Sequence, residues 1–387
     1  MQDFVFHNPT KILFGGKSAA CAGQEAALFG RKALLVFGRQ SCRKHGTHQL
    51  VCSSLLDAGV QIFEHGGIVP NPVLSNVKEG IRLAQDARVE VIVAAGGGSV
   101  IDSAKAIAAG AIVRHDVWQF FKGKKSIKAS LPLIAIPTLA GSGSETNSGM
   151  VLTNEATRQK IGIGNRHLFP RTALLDPALT FTASPTATAH GTVDAISHLL
   201  EFYLFREEIF SPLQDAYSEG LIKTLMESCE AVQANPLDYQ GRANLMWASS
   251  LALNGLSSSG LGRVGFPFHM IEHSLSALYG VPHGAGLAAL LPGAMRYHAE
   301  KSPARIARYA EKILGFSGEN PRELARNGIE HLSGWLKKIG APRSLSDLGI
   351  PAGDIHAIAE NTREQARLWR LTHYSPEVVR EILSACQ

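Results

Sequence analysis

Four short apolar runs constrain this chain more than any other feature: residues 33–37, 89–95, 133–136 and 173–175. Each is rich in Val, Ile, Leu or Ala, and none alternates with polar residues. A strand with one face in water alternates in polarity, whereas a strand buried on both faces does not. Helical patterns lie between the runs, for example at 76–86 and 100–109. The expected first half is therefore an α/β domain with a parallel sheet covered by helices. Ahead of it, Phe4-Val5-Phe6 and Ile12-Leu13-Phe14, separated by Pro9, read as a short hairpin.

After about Asp176 the texture changes. Segments near 186–203, 208–231, 241–254, 266–279, 285–298 and 303–315 are long and repeat with a period of 3.6. These features predict an all-α second domain. The stretch from Asp176-Pro177 to Ser184-Pro185 is the expected junction, giving domains of 1–180 and 181–387. A chain of 387 residues suits two such domains.

Composition narrows the class. Hydrophobic residues at 45% and charged residues at 18% support a large core and argue against global disorder. The net charge of +5 is not gathered into a basic run with interleaved aromatics, so no nucleic-acid partner is expected. A phosphate-bearing small ligand is a milder explanation. Cys21, Cys42, Cys52, Cys229 and Cys386 form no CxxC pair, and an odd, scattered set reads as reduced thiols. Met1-Gln2-Asp3-Phe4 begins no signal peptide, and no apolar run reaches membrane-spanning length. The expectation is a cytoplasmic protein with no membrane partner.

Two loops carry ligand chemistry. Run 89–95 leads into Gly96-Gly97-Gly98-Ser99 and then Val100-Ile101-Asp102-Ser103-Ala104-Lys105. Glycines between strand and helix leave amide groups open to a pyrophosphate at the helix N-terminus, with Ser99 as the expected N-cap. The alternative is an ordinary glycine-rich turn, and the GxGxxG pattern is absent. Run 133–136 leads into Pro137-Thr138, then Gly141-Ser142-Gly143-Ser144-Glu145-Thr146-Asn147. Its hydroxyl groups on Thr138, Ser142 and Ser144 suit ribose or phosphate at a strand end.

The helical half holds the strongest chemistry. Asp194 and His198 are four apart and share a helix face. His269 and His273 repeat that spacing, and His283 follows at an expected helix end. Such a set suits a divalent ion such as Fe²⁺ or Zn²⁺. The same spacing also suits a buried Asp–His hydrogen-bond network.

Together these residues resemble the iron-containing, or group III, alcohol dehydrogenases. The resemblance spans nearly the whole chain: Pro9-Thr10-Lys11-Ile12-Leu13-Phe14-Gly15, Pro70-Asn71-Pro72, the GGGSxxDxxK at 96–105, the Pro137-Thr138 loop, and Asp194, His198, His269 and His283. Gly141 to Asn147 and Asn244-Leu245-Met246-Trp247-Ala248 look closest to the NADP-linked butanol dehydrogenase and broad-specificity aldehyde reductase branch.

The resemblance implies a Rossmann-like, dehydroquinate synthase-like α/β domain, a helical domain and a cleft between them. It implies that Asp194, His198, His269 and His283 hold the metal, and that His273 is a proton relay. It also implies cofactor contacts at Gly38, Ser41, Asn71, Gly97, Gly98, Ser99 and Asp102. Further contacts are implied at Thr138, Ser142, Ser144, Asn147, Lys160 and Leu179. A homo-oligomer built on a dimer is implied, with a small alcohol or aldehyde as substrate. NAD-preferring relatives carry an Asp after the strand matching 33–37. Arg39 stands there in this chain, which favours NADP(H) over NAD(H).

A dehydroquinate synthase-like lyase is the alternative on the same scaffold. It calls for several cleft Arg and Lys residues, and near the metal motifs Arg263 is the nearest. A non-catalytic oligomer using metal only for stability is a second alternative. Trp118, Asn147, Met150, Asn254 and Phe268 are candidates for either pocket lining or core.

Overall fold

The computed structural model describes residues 1–205 and 209–387, in two compact units, His7–Ala183 and Ser184–Gln387 with Met1–Phe6. The first unit holds β1 (Lys11–Phe14), α1 (Ala22–Ala27), β2 (Lys32–Gly38), α2 (Ser41–Lys44), α3 (Thr47–Asp57) and β3 (Gln61–Ile68). It continues with α4 (Leu74–Asp86), β4 (Val91–Gly96), α5 (Gly98–Gly110), α6 (Trp118–Phe121), β5 (Leu133–Pro137), β6 (Gly149–Asn154), β7 (Gln159–Gly164) and β8 (Thr172–Leu175).

Six strands form one sheet in the order β1-β8-β5-β4-β2-β3, every pair parallel. Its inner strands are apolar because both faces are covered: β4, β5 and β8 are buried throughout. In parallel strands all carboxyl ends lie on one edge. Phe37 pairs with Ala95, and Gly96 pairs with Pro137, so the loops after β2, β4 and β5 leave that edge side by side. The chain order reverses between β2 and β4, where doubly wound sheets place their ligands.

Two local expectations are corrected and one element is added. Residues 4–6 form no strand and belong with the helical unit, while β1 pairs in parallel with β8. Pro9 ends any continuous pairing with the preceding segment. Ser99 is not an N-cap: α5 begins at Gly98 behind an extended Gly97 (φ −75, ψ −177), so Ser99 lies one residue inside. An antiparallel hairpin, β6–β7, adds an element that the sequence reading leaves unassigned. Its turn needs a left-handed residue, supplied by Arg158 at φ 49 rather than by Gly.

The second unit is helical. It contains α7 (Pro185–Leu204), α8 (Pro212–Ala234), α9 (Tyr239–Leu253), α10 (Pro267–Tyr279) and α11 (His283–Lys301). The rest are α12 (Pro303–Lys312), α13 (Pro321–Lys338), α14 (Ile355–Asn361), α15 (Arg363–Leu368) and α16 (Pro376–Ser384). Punctuation is local. Ser184 caps α7 through Ala187 N at 3.1 Å with Pro185 behind it. Gly280, at φ 68, ends α10. No helix among the described residues is long and apolar enough to cross a membrane.

Close packing of α1 on α3 rests on one glycine. A Cβ at Gly23 would lie 1.8 Å from the Ser54 carbonyl oxygen, which is backbone and cannot swing away. Gly23→Ala is expected to lower stability by about 1–3 kcal/mol, read as a fall in the urea midpoint; an unchanged midpoint would show that α1 can shift freely.

Candidate functional site

Helices α7, α10 and α11 each deliver ligand-type side chains to one buried point. From α7 come Asp194 and His198, from α10 His269, and His283 is the first residue of α11. The Nε2 atoms of His198, His269 and His283 lie 3.5, 3.4 and 3.6 Å from the same oxygen, Asp194 Oδ1. That oxygen and His269 Nε2 are buried and have no hydrogen-bond partner. Ligand atoms about 2.0–2.2 Å from one ion at tetrahedral angles stand about 3.3–3.6 Å apart. The spacing therefore fits atoms around a shared divalent ion and is longer than the usual Asp–His hydrogen bond.

The electrostatics fit the same picture. Burial alone would raise the Asp194 carboxyl, but the imidazoles of His198, His283 and His269 outweigh it and hold it well below the usual carboxylate range. Burial pushes the His198 imidazole down to about 3, despite Asp194. Burial would lower His269 as well, but Glu201 and Asp194 carry it up to about 10. Neighbouring imidazoles are thus driven in opposite directions around one carboxylate.

Two carboxylates escaped the sequence reading. Glu201 on α7 accepts from His269 Nδ1, and also from the backbone amides of Phe268 (2.5 Å) and His269 (3.2 Å). Glu272 on α10 bonds His283 Nδ1 and accepts from the Ser276 hydroxyl. Both are fully buried. Each fixes an imidazole of the next helix with Nε2 aimed inward, the usual support for metal-binding histidine. A signal was present: Glu201 follows Asp194 by seven residues and shares its face.

His273 takes a separate position. Its Nδ1 lies 3.4 Å from Gln365 Oε1 on α15, and its ring stands 5.7 Å from His283 and 5.4 Å from Trp369. Phe266 meets the rings of His198, His269 and Trp369. Gln365 and Trp369 also went unnoticed in the sequence.

The sequence that builds this site matches two family profiles. One described as "Iron-containing alcohol dehydrogenase" matches residues 9–177, and one described as "Fe-containing alcohol dehydrogenase family, C-terminal" matches residues 188–386. The chain belongs to the iron-containing alcohol dehydrogenase family. It is 36% identical to "Probable NADH-dependent butanol dehydrogenase 1" of Bacillus subtilis (strain 168) over the full length of both chains. It is 33% identical to "NADPH-dependent aldehyde reductase YqhD" of Escherichia coli (strain K12), covering 94% of each. The crystal structure of NADH-dependent butanol dehydrogenase A from Thermotoga maritima superposes with a TM-score of 0.95 at 42% identity, covering 100% of this chain and 99% of that one.

Within the first unit, the family's glycine-rich turn meets the second loop directly. A Cβ on Gly98 would lie 2.4 Å from Ser142 Oγ. Gly97 has more room, its nearest neighbour being Leu139 at 3.8 Å. Thr138 donates its amide to Gly96 O at 3.1 Å. Lys160 Nζ reaches Asn71 Oδ1 at 2.9 Å, bringing together two positions distant in sequence. Gly38 ends β2, Arg39 follows it, and Ser41 opens α2. Leu179 lies in a 3-10 turn (Pro177–Thr180), half-buried against the core under the sheet.

Other expected contacts are engaged within the fold. Asp102 accepts from the Ser144 hydroxyl at 2.5 Å and from Val151 N at 3.0 Å. Lys105 Nζ donates to Asn147 O, Asn147 Oδ1 and Gly149 O. The motif's Asp and Lys therefore brace the second loop and β6. Of the candidate pocket residues, Trp118, Met150 and Phe268 are buried in the core, and Asn254 accepts from Leu256 N.

Glu272→Gln keeps the side-chain volume but removes the anionic partner of His283. It is expected to weaken Zn²⁺ binding about 10–100-fold, measured by chelator competition; unchanged affinity would deny Glu272 a supporting role.

Proposed function

We propose that this protein is a metal-dependent alcohol dehydrogenase and aldehyde reductase that transfers a hydride between NAD(P)(H) and a primary alcohol or aldehyde. The observation that carries the reading is the convergence of three Nε2 atoms on Asp194 Oδ1, 3.4–3.6 Å away, in a chain of this family. The names of the butanol dehydrogenase and aldehyde reductase relatives support the same chemistry, rather than that of dehydroquinate synthase. Labour divides between a nucleotide-binding segment, 1–180, and a metal-binding segment, 181–387. The assembly is a homo-oligomer built on a dimer, in the cytoplasm.

Asp194, His198, His269 and His283 would hold Fe²⁺ or Zn²⁺, both of which accept N/O ligands without a thiolate. When bound, the ion supplies Lewis acidity toward the substrate oxygen and the nicotinamide supplies the hydride. The chain's own residues do the rest. Glu201 and Glu272 hold His269 and His283 in the tautomer that presents Nε2. Phe266 and Trp369 place aromatic surface beside the imidazoles and exclude water. His273, held near Gln365, is the candidate proton relay.

The nucleotide reading rests on the edge between β2 and β4. Gly97, Gly98 and Ser99 open α5 there, and their amides suit a pyrophosphate. Thr138, Ser142, Asn71 and Lys160 lie on the loops and hairpin of the same unit. Asp102, Ser144 and Asn147 shape the loop, as their bonds indicate. Beside the end of β2, a cavity of about 720 Å³ is lined by Arg39, Arg43 and Lys44 among others. Arg39 and Lys44 have no side-chain hydrogen bond or ion pair among the described residues. Two unneutralised cations at that position favour a ribose 2′-phosphate, hence NADP(H) over NAD(H). The named relatives include both NADH- and NADPH-dependent enzymes, so this preference belongs to the chain's own residues.

Three experiments test the reading. An aldehyde panel with each reduced cofactor, run alongside elemental analysis, is expected to show net NADPH consumption by a protein holding one divalent ion in this site. His283→Ala should lose both the metal and the turnover; full activity without metal would refute the ligand assignment. Arg39→Asp should lower kcat/KM for NADPH by about 10–100-fold and spare NADH, the range expected for one charge-assisted bond. Equal losses with both cofactors would sink the 2′-phosphate reading.

A further inference from the structure

A second cluster of metal-ligating groups lies in the α/β unit, distinct from the Asp–His set, and one of its members, Glu64, also lines the cavity of Arg39, Arg43 and Lys44. His48 and Cys52 are one turn apart on α3, and Glu64 faces them from β3. One ligand atom from each lies within 4.8 Å of the other two. His48 Nε2 stands 3.1 Å from Glu64 Oε2 and 3.7 Å from Cys52 Sγ.

Those separations are informative. A zinc-type ion about 2.0–2.1 Å from nitrogen and oxygen and about 2.3 Å from sulfur would set the N···O pair about 3.4 Å apart and the N···S pair about 3.6 Å apart. The observed N···O pair is at hydrogen-bond length, and Cys52 Sγ stands nearly equidistant from His48 Nε2 (3.7 Å) and Nδ1 (3.8 Å), so the His48 ring must turn to aim a lone pair at an ion shared with Cys52. The His48 side chain is 16% exposed, and its ring is held edge-on by Phe37 at 4.9 Å. Cys52 packs half-buried against the core, so the ligands sit on regular elements rather than on a loop tip. Glu64 is exposed enough to give an ion access.

We propose that His48, Cys52 and Glu64 form a second metal site, for a zinc-class divalent ion, with a fourth position open to solvent. Imidazole, thiolate and carboxylate together select such an ion over Mg²⁺ or Ca²⁺, which take oxygen ligands. Binding removes one proton from the Cys52 thiol, which leaves to solvent. Burial and the Glu64 charge raise that thiol above its ordinary range, so protons compete with the ion. Arg43 competes as well, its guanidinium lying 2.5 Å from Glu64 Oε2. Glu64 can serve both by turning its second oxygen to Arg43.

The thiolate makes the site distinguishable from the Asp–His set, which contains no sulfur. Titrating the intact, metal-loaded protein with Co²⁺ is expected to produce a near-ultraviolet sulfur-to-cobalt charge-transfer band that saturates at one further equivalent. Cys52→Ser should abolish the band, whereas His283→Ala should retain it. His48→Gln keeps the thiol and should weaken the titration. No band in the wild type, a band that survives in Cys52→Ser, or an unaltered titration in His48→Gln would each overturn the proposal.

Discussion

Three buried carboxylates and the imidazoles between them hold the helical unit's chemistry together. Asp194, Glu201 and Glu272 are 7%, 0% and 0% exposed. Burying so much negative charge is costly unless each group is paired. Glu201 on α7 holds His269 on α10, and Glu272 on α10 holds His283 on α11. Each carboxylate thus reaches across to the next helix, linking the three in series. Asp194 alone has an oxygen facing three imidazole nitrogens without a hydrogen bond. With neutral imidazoles, three anionic groups would share one dry region, and a divalent cation at Asp194 relieves that excess. Burial and charge pull the two imidazoles in opposite directions because His269 has Glu201 beside it as well as Asp194, whereas His198 has Asp194 alone.

The α/β unit uses its polar groups differently. Its glycine-rich turn is shaped by groups behind it rather than by groups lining it. Lys105 is almost wholly buried, with its ammonium held by two backbone carbonyls and the Asn147 amide oxygen. Burial lowers this lysine to about 8, so the charged form is kept by those acceptors and by Asp102 and Glu145 at some cost. The gain is geometric. Asp102 and Lys105, three residues apart on α5, fix the start of β6 and the loop before it. Backbone amides near Gly97 and Ser142 are then presented on a rigid edge.

Much of this was legible in the sequence, for identifiable reasons. Strands β2, β4, β5 and β8 are buried on both faces, so their composition alone marks them. Asp194 with His198, and His269 with His273, are paired by helical period, which survives any tertiary arrangement. What escaped depends on contacts between elements. Nothing in the spacing of Glu201 says that it will meet His269, because that meeting is set by how α7 and α10 cross. The β6–β7 hairpin escaped because Arg158 occupies the left-handed position usually given to Gly or Asn. Asp102, Ser144 and Asn147 read as ligand groups because a hydroxyl or carboxylate near a strand end looks the same whether it faces a ligand or braces a loop.

That distinction matters most at the end of β2, where cations differ by what already neutralises them. Arg43 is engaged by Glu64 at 2.5 Å and lies 5.1 Å from the Phe37 ring centroid, so its charge is largely spent inside the fold. Arg39 and Lys44 line the same cavity without such partners. An exposed ion pair contributes little to stability, so Arg43 and Glu64 can separate at small cost when either finds a better partner. A phosphate near Arg39 would draw Arg43 toward the cavity, and a cation near His48 would draw Glu64 the other way. The loops after β4 and β5 contribute shape and backbone amides, whereas discrimination between ligands of different charge falls to the segment after β2.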